Sequence, residues 1–183
     1  MRKFYLFASI IAATALFASC KKNDSAPEAQ VVKEILVSLA AANENPQPTG
    51  RTERGTATIK IYNDNSITVD AALTGFSTTD NLTLAHIHAG DPVTNGPVVL
   101  DLMPAFTGST LKSNVKGIRT SLIDSLKAGT ADLYLNIHST QVGSGIVRGQ
   151  LFNEVTFAAS VALSGANEVP SVTTTATGMA HIH

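Results

Sequence analysis

The chain of 183 residues lacks several features that mark particular protein classes. It has one cysteine, so no disulfide can form within it and its stability has to come from packing. Its formal net charge is −1, which gives no positive field to attract a polyanion, so nucleic acid is not an expected partner. Tryptophan is absent and other aromatic residues are few.

The body of the chain is instead rich in Val, Ile, Thr, Ala, Gly and Ser. This composition favours many short strands over long helices. The length is sufficient for one good hydrophobic core with a small additional unit.

Residues 1–20, MRKFYLFASIIAATALFASC, follow a different pattern. Two basic residues precede an apolar run that ends in small residues, which predicts a secretory signal peptide. The run is shorter than the roughly 20 residues that a transmembrane helix needs. The ending FASC resembles a bacterial lipobox, although Phe17 stands where Leu is usual. The resemblance predicts that Cys20 is lipidated and becomes the mature N-terminus.

The segment that follows, residues 21–31, is polar and contains a proline, so it is predicted to be a flexible tether. No further apolar span follows, so we expect the mature protein to be anchored in a lipid bilayer through Cys20 without crossing it. Lys21, rather than Asp, follows the cysteine. By resemblance to known lipoprotein sorting, this predicts a bacterial cell-envelope location at the outer membrane or cell surface.

Alternating apolar patterns predict about seven short strands. They lie at residues 33–41, in a hairpin over 55–73 that turns at Asn63-Asp64-Asn65, and at 82–89, 96–103, 130–139 and 145–152. One short helix is predicted at 120–129, with Ser121 and Asp124 as a capping box and Gly129 as the C-cap. The predicted fold class is all-β, an antiparallel Greek-key-like β-sandwich with one short helix.

The chain also contains an internal repeat. VSLAAANENP, from Val37, matches VALSGANEVP, from Val161, at an offset of 124 residues. After one gap, Gly55, Ala57 and Ile59 match Gly178, Ala180 and Ile182. Residues 32–155 are therefore predicted to form a complete unit and 156–183 the opening of a second, truncated one. We expect roughly the last 25 residues to pack poorly, to form an exposed edge or to augment a neighbouring sheet.

The string AHIH occurs at 85–88 and again at 180–183, but the repeat does not align the two copies. It places His181 and His183 opposite Thr58 and Lys60, on alternate positions of an amphipathic strand. These two histidines are not expected to belong to a site.

Five stretches together resemble the CHRD family, the domain named from chordin. They are AANENP, AHIHAG, NGPVV, LKAGTADLYLNIHS and GIVRGQL, which span about residues 35 to 153. Asn45 stands where the family more often has Val. The resemblance implies a β-sandwich module that is often repeated and extracellular. In chordin the domain belongs to a protein that binds growth factors, and no enzymatic activity comes with the family.

The histidines near the middle of the chain are candidate metal ligands. His86 and His88 are two residues apart on a predicted strand, so they share a face with Cα atoms roughly 6–7 Å apart. His138, on another predicted strand, completes a set of three that suits Zn²⁺ or copper with an open position. Glu44 is a weaker fourth candidate. A blue-copper site is excluded, because its thiolate would have to come from Cys20.

A structural interpretation of the same residues stays open. Histidines at strand ends can anchor a tight loop such as GDPVTNGP, which follows His88. Glu44, Asn136 and Arg148 are predicted to form a buried polar network in which Arg148 pairs with Glu44. Direct catalysis is the least favoured of the alternatives, because H-x-H alone is a weak signal. Ser139 is not expected to be a nucleophile beside His138, because adjacent residues in a strand point to opposite faces.

Three functions remain open on the sequence. The first is a membrane-anchored extracytoplasmic binding or adhesion module without catalysis, whose partner is an envelope protein or a glycan. The second is a single-metal protein, binding Cu or Zn, that resembles Cu/Zn superoxide dismutase, since AHIHAGD is similar to that enzyme's HVHEFGD. That enzyme's disulfide and histidine-rich zinc loop have no counterpart here. The third is a purely structural spacer.

Overall fold

The computed structural model describes residues 28–182. The predicted signal peptide, the predicted lipidation site Cys20, most of the predicted tether and His183 lie outside the described residues. Within residues 28–182, no helix has both the length and the apolar character needed to span a bilayer.

Nine antiparallel strands form one hydrogen-bonded sheet, in the order β5-β4-β8-β9-β1-β2-β3-β7-β6. The strands are β1 (Val31–Ala40), β2 (Arg54–Tyr62), β3 (Ile67–Thr74), β4 (Leu82–Ala89), β5 (Val98–Asp101), β6 (Ala105–Thr107), β7 (Thr110–Val115), β8 (Leu133–Ser139) and β9 (Val147–Gln150). Among residues 28–182 there is a single α-helix, α1 (Thr120–Ala128), which joins β7 to β8. The predicted all-β antiparallel class with one short helix is confirmed.

The sheet curls into two halves that meet where β1 and β9 pair. Only one residue pair, Ala40 with Arg148, joins these two strands. One half contains β4, β5, β8 and β9, and the other contains β1, β2, β3, β6 and β7. The chain passes from one half to the other three times, after β3, after β5 and after β7. The core cluster combines both halves, with Ile87 and Leu135 from one and Ile59 and Val69 from the other. The sandwich-like core therefore arises from one sheet folded back on itself.

The hairpin of β2 and β3 forms as its sequence predicts. Asn65 adopts a left-handed conformation with φ of 61°, and the Asp64 carboxylate accepts a hydrogen bond from the Ser66 backbone N–H at 3.1 Å. Both features are typical of Asn and Asp in tight turns. The turn sets the register that places Ile61 opposite Ile67, and both side chains are fully buried.

Helix α1 ends as predicted but begins differently. Gly129 is left-handed, with φ of 71°, and its N–H donates to the carbonyl of Ser125. The predicted capping box is wrong: the N-cap is Arg119, which makes no side-chain cap hydrogen bond, and Ser121 lies inside the helix. The Ser121 carbonyl instead accepts a bond from the Ser125 hydroxyl at 3.0 Å. The helix is held in place by burial of Leu122, Ile123 and Leu126.

The sequence analysis missed the short hairpin of β6 and β7. Its turn contains Gly108 at φ of 57°, a conformation that favours glycine. Strand β7 alternates exposed and buried residues, with Leu111, Ser113 and Val115 inward. The alternation is visible in the sequence, but the polar Ser113 interrupts its apolar signal. That serine is accommodated because its hydroxyl donates to the Leu102 carbonyl.

The C-terminal residues form a separate two-stranded sheet of β10 (Ala159–Ser164) and β11 (Thr177–Ile182). Its register pairs Leu163 with Gly178, as the first unit pairs Leu39 with Gly55. Leu39 is buried, whereas Leu163 is 49% exposed. The shared register supports the predicted division into a complete unit and the opening of a second, and that division stays a prediction.

Candidate histidine site

The outer face of β4, β8 and β9 carries polar residues, while the opposite face enters the core. Register places His86 opposite Asn136 and His88 opposite Tyr134, and Arg148 of β9 lies on the other side of Asn136. Because side chains alternate along a strand, the intervening residues point inward. These inward residues, Ala85, Ile87, Leu135 and Ile137, are all fully buried.

The structure brings His86, His88 and His138 together on this outer face. The ring centroids of His86 and His88 are 5.7 Å apart, and those of His86 and His138 are 4.9 Å apart. The His86 Nδ1 and His138 Nε2 atoms are 3.1 Å apart. One nitrogen from each of the three rings lies within 4.8 Å of the others. Among the described residues, this is the group of His, Cys, Asp or Glu side chains whose geometry suits a metal ion.

Two backbone carbonyls fix which nitrogens carry protons. His88 Nδ1 lies 2.9 Å from the Gly96 carbonyl oxygen, and His138 Nδ1 lies 3.0 Å from that of Gly143. A carbonyl only accepts, so each Nδ1 donates and each neutral ring keeps its lone pair on Nε2. The His88 Nε2 atom is buried and has no hydrogen-bond partner among residues 28–182.

The surroundings of His88 and His138 favour the neutral form of both rings. Burial is the main cause that lowers the pKa of His88 and of His138 below the usual 6.5, and the neighbouring His86 lowers both further. Hydrogen bonds to the Gly96 and Gly143 carbonyls act in the opposite direction. Tyr134 stacks on His88 with ring centroids 4.8 Å apart and planes inclined by 10°. Sequence reasoning did not single out this tyrosine.

Arg148 organises the loop that follows β4. It is only 1% exposed, and its guanidinium donates to the carbonyls of Asp91 and Thr94 and to the side chain of Asn95. The same group lies 3.4 Å from the centroid of the Tyr134 ring. A planar guanidinium can stack and donate in its own plane at once, which an ammonium cannot do. Arg148 therefore fixes the path of residues 90–97.

Glu44 joins Asn136, but the predicted pair of Arg148 with Glu44 does not form. The Glu44 carboxylate accepts bonds from Asn136 Nδ2 at 3.1 and 2.9 Å. Within residues 28–182, no ion pair shorter than 4.0 Å joins it to Arg148, whose donors are turned toward the loop carbonyls. Glu44 is also not in the histidine group, so the structure gives no support to it as a fourth ligand.

The environment of Glu44 favours its protonated form. Burial raises the pKa of Glu44 from 4.5 to about 8, against the opposing effects of the Asn136 hydrogen bond and the Arg148 charge. Gly145 closes the pocket around this group. A Cβ at position 145 would lie 2.6 Å from Asn136 Oδ1 and 2.7 Å from Glu44 Oε1, so a side chain does not fit there.

A second buried network was missed by the sequence analysis. Asp80 is 3% exposed and accepts hydrogen bonds from Arg51 at 2.7 Å and from Ser139 and Thr140 at 2.8 Å. Burial opposes ionisation of the Asp80 carboxyl, but these bonds prevail and lower its pKa to about 2. Arg51 also lies 2.9 Å from Glu53. The partners are far apart in the sequence, so no local motif indicated them.

The remaining described histidine lies elsewhere. His181, in β11, is within 3.0 Å of the Ser160 hydroxyl on β10. It is not a member of the histidine group, and His183 lies outside the described residues.

Comparison with known proteins gives one match. The family model of the CHRD domain matches residues 35–151, which includes every member of the histidine group and of the Glu44, Asn136 and Arg148 cluster. No curated protein matches the chain, and no solved structure matches it. The match spans more than half of the sequence and ends within the closing strands of the curled sheet, so the chain belongs to the CHRD domain family.

Proposed function

We propose that the protein is a lipid-anchored, extracytoplasmic binding module without catalytic activity. The signal-like N-terminus, the lipobox ending at Cys20 and the polar tether support the anchoring. The absence of catalysis is supported by Ser139, whose buried hydroxyl donates to Asp80 and so does not serve as a nucleophile beside His138.

The observation that carries the proposal is a pair of rigidly held loops, residues 45–50 and 91–97, which we call the paired-loop surface. The two loops are joined directly, because Asn45 donates to the Val93 carbonyl and Asn95 donates to the Asn45 carbonyl. Arg148 donates hydrogen bonds to Asn95 and to the Thr94 carbonyl of the second loop. Loops that a scaffold fixes in this way are common binding surfaces in proteins.

A protein partner suits this surface better than a glycan. Its two loops contain prolines and Val93, which is 49% exposed, but no aromatic residue on which a sugar ring would stack. Exposed Val and Pro in a rigid loop instead offer apolar contact for another protein, with asparagine side chains available for hydrogen bonds.

Site-specific photo-crosslinking in cells tests the proposal. A photoreactive residue is placed at Val93 of the full chain, and a matched control carries it at Lys112, whose side chain is 81% exposed on β7. We expect one defined protein adduct from position 93 that is absent from position 112. A glycosidase-sensitive adduct would identify a glycan instead. No adduct from position 93, or identical adducts from both positions, would contradict the paired-loop surface and favour a spacer.

A further inference from the structure

We propose that His86, His88 and His138 bind one late transition-metal ion, copper or zinc, on the outer face of β4 and β8. This site adjoins the paired-loop surface, because His88 donates to the carbonyl of Gly96 in the second loop. It is formed by the outward residues of two hydrogen-bonded strands and by the loop that contains Gly143.

The hydrogen-bond pattern around the rings is the first argument. Metal-binding histidines usually donate their second ring nitrogen to a carbonyl or carboxylate, which orients the ring and fixes the tautomer. His88 and His138 both do this, through Gly96 and Gly143. Each is left with a lone pair on Nε2.

The unpartnered Nε2 of His88 is the second argument. A buried polar atom without a partner costs free energy, so it requires an explanation. Tyr134 stacks on the face of this ring and restricts its orientation. A metal ion at the centre of the three rings would use the lone pair that no group among the described residues satisfies.

The spacing of the donor atoms is the third argument. Nitrogens on a tetrahedral zinc ion, with bonds near 2.0–2.1 Å, lie about 3.3 Å from one another. His86 Nδ1 and His138 Nε2 are already 3.1 Å apart, and all three donors lie within 4.8 Å. A small rotation of the rings brings the group to a coordinating distance.

Binding needs no net loss of a proton from the three rings. In the metal-free cluster the His86 Nδ1 proton is donated to His138 Nε2, because the latter carries only a lone pair. With a metal bound, His86 would carry its ring proton on Nε2 and offer Nδ1 as a ligand.

The donor set predicts a metal preference. Three imidazole nitrogens without a thiolate or a carboxylate suit both ions, and the general affinity order of divalent metals places copper above zinc. Three protein ligands leave at least one position for water or another small ligand. We therefore expect a single site that binds Cu²⁺ more tightly than Zn²⁺.

The test uses the untagged full chain with Cys20→Ser, which removes the only thiol. The protein is dialysed against Cu²⁺ or Zn²⁺, and bound metal is measured by mass spectrometry and by titration calorimetry. We expect one metal ion per chain. His86→Ala and His88→Ala should each bind the metal at least ten-fold more weakly. Loss of a group that only supports a ligand already weakens binding about ten-fold, and loss of the ligand itself should weaken it no less. The matched control His181→Ala should bind as the parent does.

Folding is monitored separately by circular dichroism. His88→Ala removes the bond to Gly96 and is the variant at greater risk of unfolding. Within residues 28–182, the His86 ring is hydrogen-bonded only to His138. For Cu²⁺, electron paramagnetic resonance should show coupling to imidazole nitrogens. Less than stoichiometric metal on the folded parent chain, or equal binding by folded His86→Ala, would overturn the proposal. Neither result affects the crosslinking outcome at Val93.

Discussion

At the scale of single residues, Glu44 is the most informative group. It is 5% exposed and its pKa is raised to about 8, so the folded protein binds a proton that the unfolded chain releases near pH 4.5. In this window the unfolded state holds fewer protons than the folded state, so stability decreases as the pH rises.

This linkage predicts how Glu44→Gln changes the pH dependence of stability. Between pH 7 and 8 the parent should lose about 1 kcal/mol of unfolding free energy, because one pKa unit corresponds to about 1.4 kcal/mol. The Gln variant should lose none of it. The lowered pKa values of His88 and His138 act in the opposite direction, because an unfolded histidine still binds part of a proton at pH 7. Their effect is the same in the parent and in the Gln variant, so the difference between the two proteins is due to Glu44.

Urea unfolding of the full chain at pH 7 and pH 8 measures the effect. Glu34→Gln is a matched control. Glu34 lies on β1, the strand that precedes Glu44, and its side chain is 58% exposed. The control should keep the slope of the parent. A parent protein that is equally stable at both pH values would show that Glu44 is ionised in the folded state.

At the scale of elements, the loop of residues 90–97 owes its shape to β9 rather than to its own sequence. Arg148 of β9 donates hydrogen bonds to the Asp91 and Thr94 carbonyls. The backbone N–H of Gly96 donates to the Tyr134 hydroxyl at 3.2 Å, which adds a second attachment to the same face.

Arg148→Lys tests this dependence. Lysine retains the charge but cannot stack on Tyr134 while donating in a plane to several acceptors, so the loop should open more often. We expect the amides of Thr94 and Gly96 to exchange with deuterium at least ten-fold faster, as local opening predicts. Amides of the β2–β3 hairpin should be unchanged. Equal acceleration in both regions would instead indicate a general loss of stability.

The elements also show what the sequence can and cannot predict. Alternation in LTLAHIHA was sufficient to place His86 and His88 on one face, because strand geometry is local. The turn at Asn65 and the helix end at Gly129 were equally local. The partner of Arg148 could not be predicted locally. Whether Arg148 binds Glu44 or the loop carbonyls depends on how two strands pair. The Asp80 network, with partners 29 and 59 residues away, has the same cause.

At the scale of the whole molecule, one sheet provides both the core and the candidate surfaces. Its fold-back at the pair of Ala40 and Arg148 brings the first strand beside the last strand of the unit. The 3₁₀ turn that follows β1, Ala41–Asn43, leads directly to Glu44 and the first loop of the paired-loop surface. The histidines and the loops are neighbours, and the bond from His88 to the Gly96 carbonyl joins them.

The proposed lipid anchor gives the last prediction, which concerns the full chain. If Cys20 is acylated, Cys20→Ser should move the protein from the membrane fraction to the soluble fraction and abolish incorporation of labelled fatty acid. Each buried CH₂ contributes about 0.8 kcal/mol, so several acyl chains hold a protein far more firmly than a polar tether can. Ser25→Ala, in the tether, is the matched control and should stay in the membrane fraction with its label. A Cys20→Ser protein that stays in the membrane fraction and still incorporates the labelled fatty acid would contradict lipid anchoring through Cys20.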